Sequence, residues 1–243
     1  MTSLNAFRYA APANFYPLAG RLQPLFFGLA AALALAGLWL GFFVAPTDVQ
    51  QGEGYRIIFV HVPASWTAML VYCVMAFWAG VGLVFRVRLA SMMASALAPT
   101  GAIFALLSLV TGALWGKPMW GAWWVWDARL TSTLVLFFLY LGFIALQAAI
   151  DDPRRADKAG AVVALVGVVN VPIIYFSVRW WNTLHQGASV SVTKSAMAQT
   201  MLWAMLLMAL AFWMYAIAVA LARVRNILLE REAHTEWVQH AVA

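Results

Sequence analysis

Cysteine is almost absent from this chain. Cys73 is the only cysteine in 243 residues, and it lies inside an apolar run. A single thiol excludes an intramolecular disulfide, and the absence of a C-x-x-C-H motif excludes the usual covalent attachment of a c-type haem. The simplest interpretation of Cys73 is a small, buried apolar side chain.

Charged residues are also scarce. They make up 10% of the sequence, whereas hydrophobic residues make up 65%. Because soluble domains carry about a quarter charged residues, this composition predicts an integral protein of the lipid bilayer. The formal net charge is +6, but the basic residues are spread over short loops and form no nucleic-acid-binding motif. Binding of nucleic acid is therefore not expected.

Six apolar segments have the ~20 residues needed to cross ~30 Å of hydrocarbon. The predicted spans are residues 22–44, 62–85, 94–114, 131–150, 160–178 and 200–222. Residues 1–20 lack the features of a cleavable signal, and we expect them to form an interfacial lead-in. The sequence thus predicts an all-α, polytopic membrane protein with one integral domain over residues 1–243, a loop at 115–130 and a tail at 223–243.

The distribution of lysine and arginine predicts the orientation of the spans. Ten of the 15 basic residues lie on the side of both termini, and the other side holds Arg56, Lys117, Arg129, Arg179 and Lys194. Because basic residues concentrate in cytoplasmic loops, both termini are predicted to be cytoplasmic. The long connections at 45–61, 115–130 and 179–199 then lie outside, in the periplasm of a Gram-negative cell. We expect function on that outer face.

Five of the 13 tryptophans lie in one short outer segment. They are Trp115, Trp120, Trp123, Trp124 and Trp126. The segment is interpreted as an aromatic platform for a large, flat apolar ligand, with an interfacial membrane anchor as the alternative. If residues 119–129 are helical, with Pro118 in the first turn, then Trp120, Trp123, Trp124 and Asp127 share one helix face.

Two of the four histidines lie at the outer ends of different spans. His61 and His185 are predicted at the same depth, close to aromatic residues, and an ionisable residue at a membrane edge is a functional candidate. The alternative is a pair of unrelated interfacial histidines. His234 and His240 lie six residues apart in the tail, which is not the spacing of a helical metal pair, so we expect a solvated end.

A ligand pair beside an aromatic platform fits haem. Two neutral imidazoles bind iron from opposite sides, and indoles supply an apolar envelope for the macrocycle. A zinc site needs three or four ligands, and Asp127 is the only acid in the tryptophan segment. The prediction is therefore a non-covalent haem b with His61 and His185 as metal ligands. Arg129 is the best-placed cation for a propionate.

No enzyme motif is present. Residues Gly112 to Pro118 superficially resemble a phosphate-binding loop, but the glycine spacing is wrong and Pro118 replaces the Ser or Thr. Ser65, Ser132, Ser189 and Ser191 have no histidine–acid partnership for nucleophilic catalysis. The sequence therefore predicts a haem-handling component and not an enzyme.

The segment WGKPMWGAWWVWDARLTS (Trp115–Ser132) resembles the tryptophan-rich "WWD" signature of the haem-handling proteins of cytochrome c biogenesis. HVPASW at His61 and WWNTLHQG at His185 stand in the family's order. The chain's length matches the six-span haem exporter C branch and is too short for the haem lyase branch.

This resemblance implies haem binding on the outer face of the bacterial inner membrane. It implies His61 and His185 as axial ligands and Trp115–Asp127 as the haem-contacting loop. It also implies three kinds of partner: a periplasmic haem chaperone, ATP-binding-cassette subunits and a small single-span membrane protein. Two alternatives stay open, a membrane b-type cytochrome for electron transfer and a cofactor-free permease or assembly subunit.

Overall fold

The computed structural model describes residues 6–181 and 197–242 of the chain. Within these residues the fold is entirely helical apart from turns and connections. The α-helices are α1 (Pro12–Trp39), α2 (Ile58–Phe85), α3 (Arg88–Trp120), α4 (Ala128–Ala149), α5 (Pro153–Gly167), α6 (Asn170–Trp180), α7 (Gln199–Arg231) and α8 (Glu236–Val242).

The predicted number of membrane spans is confirmed. Six helical segments of the described chain are long and apolar enough to cross a bilayer, with α5 and α6 together forming the fifth. A π-helical turn, Leu40–Val44, extends α1, and a 3-10 turn, Glu53–Ile57, precedes α2. Alternating spans bring residues 45–57, residues 121–127 and the C-terminal end of α6 to one end of the bundle, here called the tryptophan end. The cytoplasmic position of both termini stays a prediction.

The helices extend beyond the predicted spans. α1 begins at Pro12, where proline suits the first helical position, so residues 12–20 belong to α1 and not to a separate lead-in. α7 continues to Arg231 and α8 follows it, so most of the predicted tail is helical. Trp237 of α8 packs against Tyr16 of α1, with ring centroids 5.7 Å apart.

The main core lies between α2, α3, α4 and α5. Tyr72 and Tyr140 are fully buried at its centre, with their rings edge to face at 4.9 Å. The Tyr140 hydroxyl donates to the carbonyl of Ala68 at 2.8 Å, which satisfies a polar group that would otherwise be costly to bury. This contact fixes α4 against α2.

A second core at the tryptophan end joins α1, α2 and α7 and includes Phe59 and Met205. Two glycines let α1 approach closely. A Cβ at Gly37 would lie 2.9 Å from Met208 Cγ, and one at Gly41 would lie 2.5 Å from Phe59 Cδ2. Small residues at such crossings are typical of packed membrane helices. The two-residue turn between α2 and α3 makes these helices antiparallel neighbours, so the start of α2 lies next to the end of α3.

Candidate functional site

His61 lies in the first turn of α2 and is half-buried against α3. Its Nδ1 atom is 3.0 Å from the hydroxyl oxygen of Thr111 on α3. Thr111 is buried, with 8% of its surface exposed. The contact therefore lies inside the packed interface of α2 and α3, where water does not compete for the hydrogen bond.

The hydrogen bonds of Thr111 decide which nitrogen of His61 carries the proton. The Thr111 hydroxyl lies 2.6 Å from the Leu107 carbonyl and donates its only hydrogen to it. Toward His61 the same oxygen can then only accept, so Nδ1 carries a hydrogen and donates it. In a neutral imidazole this tautomer leaves the lone pair on Nε2.

A second pair of hydroxyls fixes the register of α2 against α3 one turn deeper. Ser65 donates to the His61 carbonyl at 2.9 Å, and its oxygen is 2.6 Å from the Ser108 hydroxyl. Because the hydrogen of Ser65 is already used, Ser108 is the donor of this second bond. These two bonds fix the backbone of His61 against α3, whereas Thr111 makes the hydrogen bond to the ring itself.

Trp115 packs on the edge of the His61 ring, with centroids 5.6 Å apart and an interplanar angle of 72°. Its indole Nε1 donates to the side-chain oxygen of Gln51 at 3.0 Å, which ties the 45–57 connection to the site. The glycine before this turn is also needed. A Cβ at Gly112 would lie 3.0 Å from Cε1 of His61 and would press on the ring.

The helix considered for residues 119–129 does not form. α3 instead continues through Pro118 to Trp120 and ends at Gly121, whose φ of +76° is the left-handed conformation that favours glycine at a helix end. The amide of Gly121 donates to the Lys117 carbonyl at 3.0 Å. Residues 121–127 are not helical, so the expected one-face arrangement of Trp120, Trp123, Trp124 and Asp127 does not form.

The segment after Gly121 folds back on the end of α3, where Gly116 is buried close to the Ala122 carbonyl. This leaves the two tryptophans Trp123 and Trp126 exposed, at 55% and 77% of their surface. Trp124 is half-buried and meets Trp126 edge to face at 5.4 Å. Its indole Nε1 is buried and has no acceptor within the described residues.

Asp127 and Arg129 both have structural contacts. Asp127 caps α4, its carboxylate accepting from the Leu130 amide at 2.8 Å. The Arg129 guanidinium donates to the Ser177 hydroxyl and to the carbonyls of Ile174 and Tyr175, at 3.3 to 3.4 Å. These contacts tie the start of α4 to α6, and Nη1 of Arg129 has no partner among the described residues.

A second group of aromatic residues lies at the end of α6. Phe176 stacks on Trp180 with centroids 5.2 Å apart, and Trp180 meets Trp181 edge to face. Trp180 and Trp181 are 57% and 50% exposed. The chain after them carries the second predicted ligand, His185, which lies outside the residues that the structure describes.

The remaining predicted residues have ordinary surroundings. His234 and His240 are exposed, as expected for a solvated end. Residues 6–181 and 197–242 contain no group of three or more potential metal-ligating His, Cys, Asp or Glu side chains. The Arg56 side chain bonds to Glu53 and donates to the carbonyls of Gly41 and Ala45. This cation therefore satisfies backbone carbonyls at the C-terminal end of the first span.

Sequence reasoning did not identify Thr111, Ser108 or Gln51. A signal for the first two exists: they are hydroxyl residues three apart in an apolar span, and Thr111 stands one helical turn before Trp115. Gln51 carries no such signal because it lies in a connection of polar residues.

Comparison with known proteins gives one consistent family. A family model described as Heme exporter protein C matches residues 5–239. A protein named Heme exporter protein C from Escherichia coli (strain K12) is 46% identical over 237 residues, covering 96% of this chain and 94% of the relative. One of the same name from Haemophilus influenzae is 47% identical over 232 residues, covering 95% and 94%. A putative cytochrome c biosynthesis ccmC-like mitochondrial protein from Marchantia polymorpha is 42% identical over 209 residues, covering 86% and 89%.

Proposed function

This chain belongs to the heme exporter protein C family, and we propose that it binds haem at the tryptophan end of its bundle and delivers it for the maturation of c-type cytochromes. The receiving protein is a periplasmic haem chaperone. The tryptophan end then faces the periplasm, and the chain lies in the bacterial inner membrane. The proposed role is transport and positioning of haem as cargo, alongside ATP-binding-cassette subunits and a small single-span protein.

The observation that carries this proposal is the contact between His61 Nδ1 and the Thr111 hydroxyl, from which we infer the tautomer of the ring. A histidine that binds a metal donates its other ring hydrogen to a neighbouring acceptor, and this bond holds the ring and raises its basicity. His61 has this arrangement with Thr111. Nε2 is therefore the atom that would bind iron, beside an indole that excludes water from one edge of the ring.

The aromatic residues of the tryptophan end suit the apolar macrocycle of haem. Trp123 and Trp126 present exposed indoles at the end of the bundle that also holds the first turn of α2 and His61. The donors we assign to the propionates are the buried Nε1 of Trp124 and the Nη1 of Arg129, whose Nε and Nη2 already bond to α6. A carboxylate that accepts such a bond would relieve the cost of burying an unpaired indole N–H. His185 follows Trp181 and is the proposed second axial ligand.

The direct test is the absorption spectrum of the purified protein in its ferric and ferrous states, after expression with excess haem. Two imidazole ligands predict a low-spin, six-coordinate spectrum with non-covalent haem that acid–organic solvent extracts. Colourless protein that takes up no added hemin would contradict haem binding. Rapid electron exchange with a quinone, without haem release to the chaperone, would instead favour a b-type cytochrome.

Thr111→Val gives a second test, since valine keeps the shape of threonine but cannot accept the hydrogen of His61 Nδ1. We expect haem affinity to fall roughly 10- to 100-fold, the usual cost of losing the bond behind a metal-ligating histidine. Because the imidazole becomes a weaker donor, we also expect a higher midpoint potential for the haem that remains. Hemin titration and spectroelectrochemistry measure the two effects.

The matched control is Thr111→Ser, which keeps the hydroxyl and loses only a methyl group. It should restore both the affinity and the potential toward the wild-type values. If serine and valine weaken binding equally, then packing at Thr111 matters and the tautomer argument fails.

A further inference from the structure

At the end of the bundle opposite the tryptophans, the structure forms a cleft of about 680 Å³ between the end of α2 and the starts of α3 and α5. Four cations line it, together with one acid: Arg86, Arg88, Arg154, Lys158 and Asp157. Nothing in the proposed haem site uses these residues. A concave surface lined by several cationic side chains is a candidate anion site.

Two of the lining residues are already neutralised. Asp157 accepts two-pronged hydrogen bonds from Arg231 of α7, at 2.8 to 3.0 Å. Arg88 lies 3.2 Å from Glu232, whose side chain is buried. The other three cations, Arg86, Arg154 and Lys158, have no ion pair within the described parts of the chain. The nearby acids Asp151 and Asp152 do not line the cleft, and Asp152 caps α5 by accepting from the Arg155 amide.

The backbone of Arg86 adopts a conformation that is unusual for arginine. Arg86 ends α2 with φ 57° and ψ 31°, the only non-glycine residue with positive φ among the described residues. Glycine is the usual residue in this left-handed position at a helix end. The tight turn between α2 and α3 therefore does not itself require arginine.

The surroundings of the three cations indicate which anion they bind. The start of α3 has no side-chain cap, so its positive end also favours negative charge. On the other side, the last residues of α2 present exposed apolar surface: Val84 is 69% and Phe85 72% exposed. A phosphate group beside acyl chains matches both halves of this surface.

We propose that this cleft binds the phosphate headgroup of an anionic phospholipid, with Arg86, Arg154 and Lys158 as its cationic contacts. Basic pockets between the ends of membrane helices recognise such headgroups, and each basic residue near the membrane surface contributes about fivefold in affinity. The bound lipid would join the turn between α2 and α3 to the start of α5. It would stabilise the bundle at the end away from haem.

The test uses the full-length purified protein in nanodiscs of phosphatidylcholine alone and of phosphatidylcholine with cardiolipin. We expect cardiolipin to raise the melting temperature and to be retained in native mass spectra. The Arg154→Ala/Lys158→Ala variant should lose both effects, with at least tenfold weaker lipid retention. Its haem spectrum should be unchanged. Arg223→Ala is the control. Arg223 lies in the C-terminal part of α7, is exposed and does not line the cleft.

Arg86→Gly separates binding from folding. Glycine relieves the left-handed backbone, so the variant should be at least as stable as wild type without cardiolipin and yet show a smaller cardiolipin-dependent shift. An equal loss in Arg223→Ala would mean that any surface charge suffices and would overturn the proposal. If inorganic phosphate alone raises the melting temperature as much as cardiolipin does, the cleft binds a free anion and the proposal is also overturned. Unchanged cardiolipin retention in all cleft variants would overturn it as well.

Discussion

Replacing His61 by alanine is expected to abolish the low-spin haem spectrum of the purified protein. The variant removes the proposed axial nitrogen and leaves Thr111 and Trp115 facing a cavity at the first turn of α2. The loss of affinity should exceed the roughly 10- to 100-fold expected for Thr111→Val, because the metal bond itself is lost. Hemin titration followed by absorption spectroscopy measures it, and free imidazole added to the variant should partly restore the spectrum.

The controls for this experiment are His234→Ala and His240→Ala. Both histidines are exposed near the C-terminal end of the described chain, and neither should alter the spectrum. His185→Ala should change the spectrum in the same sense as His61→Ala, with five-coordinate haem if one ligand remains. A double variant of His61 and His185 that keeps unchanged haem and still loads the chaperone would mean that the ligand assignment is incorrect.

The number of spans could be predicted from the sequence because burial in lipid requires long apolar helices, and hydropathy measures that requirement directly. The ends of the helices could not be predicted in this way. Hydropathy ends the third span near residue 114, but α3 continues to Trp120 because Gly121 supplies the left-handed end of the helix. Pro118, which would have suited the first turn of a helix over 119–129, lies within the last turn of α3.

The site could be predicted only as far as residue type and topology allow. His61 was identified because an ionisable residue stands at a span end, and its role as a ligand stays a prediction. Thr111 could not be paired with it, because the two residues are 50 positions apart and meet only through the register of α2 against α3. That register depends on packing and on the Ser65–Ser108 bond, which no periodicity in the sequence encodes.

Asp127 and Arg129 illustrate the same difficulty for charged residues. Their place in the tryptophan motif predicts contact with haem, and this stays a prediction. The structure gives Asp127 the cap of α4 and gives Arg129 contacts with α6. A carboxylate before a helix has a strong local use as its cap, and sequence alone does not separate that use from ligand binding.

Gly101→Ala is expected to be the most destabilising single-methyl change in the main core. A Cβ at Gly101 would lie 2.1 Å from Cζ of Tyr140 and 2.2 Å from its hydroxyl oxygen. The ring cannot withdraw, because Tyr140 is fully buried, meets Tyr72 and donates to the Ala68 carbonyl. Alanine would favour the helix by ~1 kcal/mol, but overpacking a rigid core costs about 1–3 kcal/mol or more. The steric term should therefore prevail.

Thermal unfolding in detergent can be followed through the single thiol, since Cys73 is half-buried in α2 and should react with a fluorogenic maleimide as the bundle opens. Gly142→Ala on α4 is the matched control: a Cβ there meets nothing within 4 Å, so only the helix propensity acts and the melting temperature should stay the same or rise. Adding Tyr140→Leu to Gly101→Ala should recover part of the loss, since the smaller side chain vacates the space of the ring. If the two glycine variants melt alike, then α3 and α4 do not cross as closely as the Gly101–Tyr140 contact requires.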